Sequence, residues 1–497
     1  MTRSAKWALP LLLAAALRFW SLGFGLDVDR VRPDEEFVVG TAERILETSD
    51  PNPHFFHYTS FLMYLDAALI RLAGPALEPR LLGRAVSAAC GVGTVLLLGF
   101  IGSRLFSARV GFFAALFLAV AYQHVRESHF ATTEIPFLFL VTASLAAAVE
   151  GRLRRKLPFF RLAALLAGLA SSTKYPGILA LVPVLFLAVG LPGVSAREKS
   201  REAILGAGLF FAAFALTSPF VLLDPAGARQ SVTELFEETW GNRTLSARDP
   251  LHPLTFSLLH GLGFPLLSLG LLGAAASIFP RDAGSRWKSH LVVLWFATFY
   301  AVAAITPTRF ARYSLPTVPS LCLAAAVFVD LLPTRRLVKV GLALAALVPP
   351  LYDSVALDRV LSREDTRSLA SAWIRDNLPE GAAIMVSEGY GAPRIPPGHR
   401  VRSVGFRLGA VREGERDGYT YLVTHEHPAL YRYSRIDGSL KKRLESAELA
   451  ARFSPFREGE RSVRYDELDA FYLPYERPGS VERSGPVVSI WQLRRTP

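Results

Sequence analysis

Eleven apolar runs, each roughly 15 to 25 residues long, recur along this chain and set the terms for any fold it can adopt. They cover about 7–22, 84–102, 108–122, 134–149, 159–173, 176–192, 203–222, 254–279, 290–305, 314–332 and 337–352. Each has the length needed to cross a hydrocarbon core as a helix, the form in which a lone segment satisfies all its own backbone groups. The composition agrees. Soluble proteins of 497 residues rarely reach 51% hydrophobic residues and a mean hydropathy of +0.29, because they need more polar surface. The reading is a mainly α, polytopic membrane protein with about eleven transmembrane helices. A shorter apolar stretch at 60–73, interrupted by Asp66, reads as a helix lying at the interface.

The net charge of +12 is not spread as a nucleic-acid binder would spread it. Its cations gather at Arg3/Lys6, Arg104/Arg109, Arg152–Lys156, Arg197/Lys199/Arg201, Arg281/Arg286/Lys288 and Arg335/Arg336/Lys339, always in alternate loops. That is the positive-inside bias, and it puts the N-terminus in the cytoplasm, with everything after about residue 353 outside it. The first run lacks a small-residue cleavage site, so it reads as a retained span rather than a signal peptide. Cys90 and Cys322 both lie in apolar runs and read as packing residues. The sequon Asn242-Arg-Thr244 falls in an outward loop and reads as a chance match.

Two domains follow. Residues 1–352 form the transmembrane part, whose first outward loop spans about 23–83, long enough to carry function. Residues 353–497 are charged, have no spanning run and read as an extracytoplasmic α/β domain. Within it Asp365 to Arg375 has helical periodicity, with Leu369, Trp373 and Ile374 on one face. Ala382–Ser387, Thr420–Thr424 and Val487–Leu493 are β-branched or aromatic and bounded by turn residues, so they read as strands.

The chemistry-bearing residues collect on the outward side. Pro33-Asp34-Glu35-Glu36 puts three carboxylates next to the bilayer, where charge is costly unless exposed or functional. The chain has only eight lysines, yet Lys174 stands in the outward turn Ser172-Thr-Lys-Tyr-Pro-Gly. Arg309 and Arg312 occupy another such turn. Each cation can snorkel to headgroup phosphates, or the three can hold an anionic ligand such as a lipid-linked phosphate. Glu134 opens a spanning helix, either to favour the helix dipole or as a second carboxylate facing the same outer cavity as Asp34. Nearby Glu127, His124 and His129 read as polar loop decoration, and Glu36 as solvated charge. The His54/His57 spacing admits a divalent metal, with substrate contact or loop packing as the other readings.

Four of these segments, in order, carry a resemblance. Arg32-Pro-Asp-Glu, Phe130-Ala-Thr-Thr-Glu-Ile-Pro, Ser172-Thr-Lys-Tyr-Pro-Gly and Arg312-Tyr-Ser-Leu-Pro-Thr-Val-Pro resemble the motifs of membrane glycosyltransferases of the C fold class (GT-C). Within that class the chain resembles family 39, the protein O-mannosyltransferases, the lipid A aminoarabinose transferase and their bacterial relatives. Two departures stand out. Where the aminoarabinose type carries Glu-Lys-Pro-Pro, this chain has His57-Tyr-Thr-Ser, so that type's metal ligand and phosphate-binding lysine do not carry over. The second-loop acid is commonly Asp and is Glu134 here.

The resemblance implies inverting transfer of a sugar from a polyprenyl-phosphate donor to a hydroxyl on protein, lipid or glycan, on the extracytoplasmic face of what is expected to be a bacterial inner membrane. Asp34 then serves as the general base, with Glu35 as its helper and Glu134 as the acceptor-side carboxylate. Lys174, Arg309 and Arg312 bind the donor phosphate, and Arg32, His54, His57, Tyr58 and Tyr313 are candidate substrate contacts. Arg30 and Arg32 either add to the phosphate site or pair with neighbouring acids. Nucleic acid is not an expected partner, and no cofactor is fixed beyond the metal option at the histidines. The rival reading is a lipid or sugar transporter or flippase, but such proteins place their charges near the midplane of repeated, broken helices, and no repeat is visible here.

Overall fold

The structure is a computed structural model that describes residues 5–241, 249–280, 284, 286–457, 463–469 and 471–493. The sequon at Asn242–Thr244 and the cations Arg3 and Arg281 lie outside these residues. The apolar runs fold as helices. Among the described residues six are long and apolar enough to cross a membrane, including Pro79–Leu105, Glu134–Arg154 and Ala196–Thr217. A bent pair, Pro253–Leu262 and Phe264–Ile278, counts as a seventh if taken as one span. The pair turns by 118° at Gly263, whose φ of +73° few other residues tolerate. Four further apolar helices, Trp7–Phe19, Ala108–Val120, Pro158–Ser171 and Tyr175–Val189, are shorter.

The count of eleven therefore becomes six or seven helices of spanning length and four short ones. Hydropathy measures the apolar sequence, but caps and prolines set where a helix begins and ends. The Ala108–Val120 helix starts after Ser107, whose hydroxyl accepts from the Val110 N–H, and Pro158 opens its helix at a first-turn position.

The chain divides into two compact units, one of Met1–Trp20 with Asp34–Ser354, the other of Ser21–Pro33 with Val355–Pro497. The sequence reading cut the chain once, after 352; the structure adds residues 21–33 to the second unit. The first unit is the helical one. Its Glu134–Arg154 and Val318–Leu331 helices are buried along most of their length, while Ala196–Thr217 presents Ile204, Phe211 and Leu216 outward as a lipid-facing helix does. Small residues let helices close up: a Cβ at Gly273 would overlap the Ala324 carbonyl of the Val318–Leu331 helix.

The second unit is a five-stranded sheet: β1 Ala383–Ser387, β2 Arg400–Val404, β3 Tyr421–Glu426, β4 Glu448–Phe453 and β5 Val487–Gln492, in the order β2-β1-β3-β5-β4. β1 pairs parallel with β2 and β3, and β5 pairs antiparallel with β3 and β4. Alternate side chains face opposite sides. Ile384, Val423, Val488 and Ile490 pack with Ala370 and Ile374 of the Thr366–Asn377 helix. Met385, Leu422 and Val404 pack with Val411, Leu440 and Leu444 of two helices on the other face. Helices thus cover both faces, which is why β1 is nearly all apolar and β3 begins with the apolar run Tyr421–Val423. Residues 21–33 are tied in by Arg367, whose Nη1 donates to the Arg30 and Tyr390 carbonyls at 2.8 and 2.7 Å while Nε and Nη2 grip Asp365.

Candidate functional site

Pro33 and the three acids after it form the first turn of a helix, Pro33–Thr48, within the stretch that the sequence alone presents as the first outward loop. Proline at the first helical position and acids in the first turn both favour that end of a helix. Asp34 is therefore held at the N-terminal end of one helix and Glu134 at that of another, Glu134–Arg154, where the helix dipole favours negative charge.

Between them stand two cations. Arg312 Nη2 lies 3.2 Å from Asp34 Oδ2, and Arg312 Nε 3.1 Å from Glu134 Oε1. Lys174 Nζ lies 2.8 Å from the same Glu134 oxygen. Tyr58 donates its hydroxyl to Asp34 Oδ1 at 3.0 Å, and Thr133 donates to Glu134 Oε2 at 2.8 Å. The result is a ladder, Tyr58–Asp34–Arg312–Glu134–Lys174, of alternating charge. Aromatic rings wall it: Lys174 Nζ is 5.8 and 5.5 Å from the centres of Tyr58 and Tyr313, and the Arg312 guanidinium sits 4.0 Å from that of Phe310. Burial, and then the Asp34 charge beside it, push the Tyr58 hydroxyl well above its ordinary value, so it stays a donor.

Local sequence explains the positions. Lys174 caps the turn into Tyr175–Ala180 with its backbone extended, and its N–H is held by the Ala170 carbonyl at 2.9 Å. Arg312 stands in the short helical turn Ala311–Thr317 that leads into the Val318–Leu331 helix. Asp34 and Lys174 keep 15% and 17% of their side-chain surface open, whereas Glu134 keeps 3%, so the ladder is open at two points.

Other expected residues lie elsewhere. Glu35 was expected to help Asp34, but its carboxylate turns away into a buried pair. Arg84 Nε and Nη2 each donate to it at 2.8 Å and the Ala131 N–H at 2.9 Å. Successive residues of a helix point about 100° apart, so adjacent acids do not share a site. Arg32 belongs to the second unit, fully buried, with Nη2 3.2 Å from Asp469 and its guanidinium over Phe471. His54 pairs with Asp50 at 2.7 Å, and His57 Nε2 lies 3.8 Å from Glu234. Among the described residues no three His, Cys, Asp or Glu side chains gather as a metal site. Arg309 lines a pocket with Asp249, His252 and Tyr313, and its side chain has no ion-pair partner among the described residues. Glu127, His124 and His129 are buried rather than loop decoration: Glu127 pairs with Arg126, His124 meets Arg18 at 2.8 Å, and His129 bonds the Val125 and Trp20 carbonyls. Glu36 is half-buried in the first helical turn.

Sequence reasoning missed Arg84, Phe310, Asp249 and His252. A basic residue at the head of an apolar run was a signal for Arg84, and two polar residues just before the bent helices for the last two.

Residues 62–222 match the family model described as dolichyl-phosphate-mannose-protein mannosyltransferase. The fold is similar to that of ArnT from Cupriavidus metallidurans, solved bound to undecaprenyl phosphate, with a TM-score of 0.57 and 16% identity over 97% of each chain. It is also similar to the oligosaccharyltransferase AglB of Archaeoglobus fulgidus, solved with an inhibitory peptide and a dolichol-phosphate. There the TM-score is 0.55 and the identity 13%, over 97% of this chain and 77% of the other. No curated protein matches the sequence. At these identities the structural likeness is one of fold; with the family match it indicates a membrane glycosyltransferase.

Proposed function

The chain resembles the family-39 glycosyltransferases of the C fold class, and from that premise we propose that it moves a sugar, with inversion, from a polyprenyl-phosphate donor to a hydroxyl acceptor on protein, lipid or glycan. The observation that carries this reading is the ladder itself, two carboxylates and two cations meeting in one partly open cluster.

Asp34 is the base. Oδ2 pairs with Arg312 and Oδ1 accepts from Tyr58, and the side chain keeps 15% of its surface open, where an acceptor hydroxyl can reach it. Taking the proton of an attacking hydroxyl is typically worth ~10² to 10⁴ in rate. Lys174 and Arg312 take the donor phosphate, with Arg309 as the next cation along. The sugar-linked phosphate carries one negative charge and gains a second as the bond to the anomeric carbon breaks. Cations already in place are worth more in that transition state than before it, and the leaving group, a weak base, needs no general acid. Without donor, Glu134 and Asp34 occupy these cations. A bound phosphate competes for them, and as Arg312 turns to it Asp34 loses a partner and becomes the stronger acceptor. Glu134 keeps the two cations beside each other against their mutual repulsion.

The site faces the extracytoplasmic side of a bacterial inner membrane, with the N-terminus in the cytoplasm; the alternating basic loops support this orientation. That orientation, with the C-terminal residues outside, needs an odd number of crossings, which the six long helices supply if the bent pair and each of the four short helices also cross once. The test incubates purified protein with a panel of polyprenyl-phosphate sugars and follows release of polyprenyl phosphate. Release that disappears in Asp34→Asn is the expected result, and no release across a broad panel would overturn the reading.

A further inference from the structure

At the carboxyl ends of β1 and β2, within the second unit, lies a cavity of about 440 Å³ for which the transfer chemistry has no use. Its lining includes Asp29, Arg30, Ser387, Glu388, Gly389 and Ser403. The topology makes this a place for a ligand. β2 and β3 flank β1 on opposite sides, both parallel to it. Open α/β sheets bind ligands outside the carboxyl ends of their parallel strands, and the lining that β1 and β2 supply lies at that edge of the sheet. The volume falls in the ordinary range of small-ligand pockets, ~300 to 1,000 Å³.

The floor is incomplete as it stands. Ser387, the last residue of β1, is fully buried, and its Oγ has no hydrogen-bond partner among the described residues. An interior hydroxyl left unmade is costly, so a ligand group that completes it is favoured. The rim sets the ligand's charge. Asp29 and Glu388 are negative, Arg30 is positive, and Arg394 stands 3.7 Å from Asp29 as a second cation. These charges cancel, which disfavours an anion and a cation alike. What remains is a dense set of donors and acceptors: carboxylates that accept hydroxyl protons, a guanidinium that donates, and the Ser387 and Ser403 hydroxyls that do both. The Arg30 guanidinium lies over the Tyr390 ring at 5.7 Å, and the Arg30 carbonyl accepts from Arg367, so the rim is anchored.

We propose that this cavity binds one sugar residue of a glycan, a neutral ligand whose neighbouring hydroxyls both donate and accept. The proposal draws only on the second unit and does not depend on Asp34 being the base. The test uses the full-length protein in lipid nanodiscs, free of glycoside detergents that would compete. Saturation-transfer NMR is recorded with mannose, galactose and N-acetylglucosamine, and with glucuronate and glucosamine as charged counterparts. Saturation of at least one neutral sugar at millimolar concentration is expected, together with a loss of affinity of about tenfold or more in Arg30→Gln and Glu388→Gln, the weight of one charge-assisted hydrogen bond. Both positions are exposed, so these variants fold, and Ser387→Ala, which shortens a buried side chain, weakens binding too. Three results would overturn the proposal: no transfer to any neutral sugar, stronger binding of a charged one, or an affinity that none of the three substitutions changes.

Discussion

Asp34 and Glu35 are neighbours of the same chemistry, and the structure predicts opposite phenotypes for their amides. Glu35 is 1% exposed and accepts three hydrogen bonds, two from Arg84 and one from Ala131. Glu35→Gln leaves the Arg84 guanidinium buried without its counter-charge and turns an amide NH₂ towards a donor. Breaking one side of a buried pair in this way costs about 3–5 kcal/mol. The protein should unfold at markedly lower temperature or denaturant concentration, while the molecules that remain folded keep their turnover. Asp34 is more open and pairs with Arg312 and Tyr58. Asp34→Asn keeps its carbonyl oxygen on Arg312 and turns its NH₂ to Tyr58, whose hydroxyl oxygen can accept, and Arg312 retains Glu134, so the loss is that of one charge-assisted bond, about 1.5–3 kcal/mol before solvent screening at this partly open group. Transfer, in contrast, should fall by ~10² or more. The assay pairs unfolding of the detergent-solubilised protein with polyprenyl phosphate release per folded molecule. If Glu35→Gln is as stable as the wild type but inactive, or Asp34→Asn turns over normally, the division of roles is wrong.

Three further outcomes follow from the same geometry. Lys174→Ala removes the cation that touches Glu134 and that we propose holds the donor phosphate, so KM for the donor should rise with a smaller change in kcat at saturation; unchanged donor kinetics would count against the contact. Arg312→Lys cannot span Asp34 and Glu134 with one planar fork, and a fall of ~10² to 10³ in kcat is expected from the misplaced charge, read in the same release assay. Acid should destabilise the second unit. Burial pushes His425 down to about 4 and His427 to about 3 from 6.5, and His427 Nδ1 accepts from the Ala429 and Leu430 N–H groups, which requires the neutral ring. The unfolded chain takes up protons that the folded one refuses, so stability is unaffected above about pH 6.5 and falls as pH drops towards 3. At about 1.4 kcal/mol per unit the two histidines together weigh several kcal/mol. A stability that stays flat between pH 7 and 4, followed by fluorescence-detected unfolding, would refute this.

What the sequence determined by itself is what depends on local composition. Apolar runs become helices because a membrane chain has few other ways to satisfy its backbone, and Ile384, Val423 and Ile490 sit in strands buried on both faces, hence legible as apolar β-branched runs. The two strands that went unread, β2 and β4, are the sheet's edges. Edge strands carry charge and small residues that guard them from pairing, so Arg400–Val404 and Glu448–Phe453 do not look like strands. Lys174, Arg312, Glu134 and Asp34 were each conspicuous as charges out of place, but their order in the ladder was not. That order joins residues 34, 134, 174 and 312, whose separations along the chain are too great for any periodicity to encode. The partner of Glu35 was likewise fixed only by packing, when the Pro33–Thr48 helix sent one carboxylate towards Arg312 and the next towards Arg84. Composition and spacing choose which groups are charged and which segments are helical; only the packed helices decide which charges meet, because a pair's strength depends on a few ångströms and on the water excluded around it.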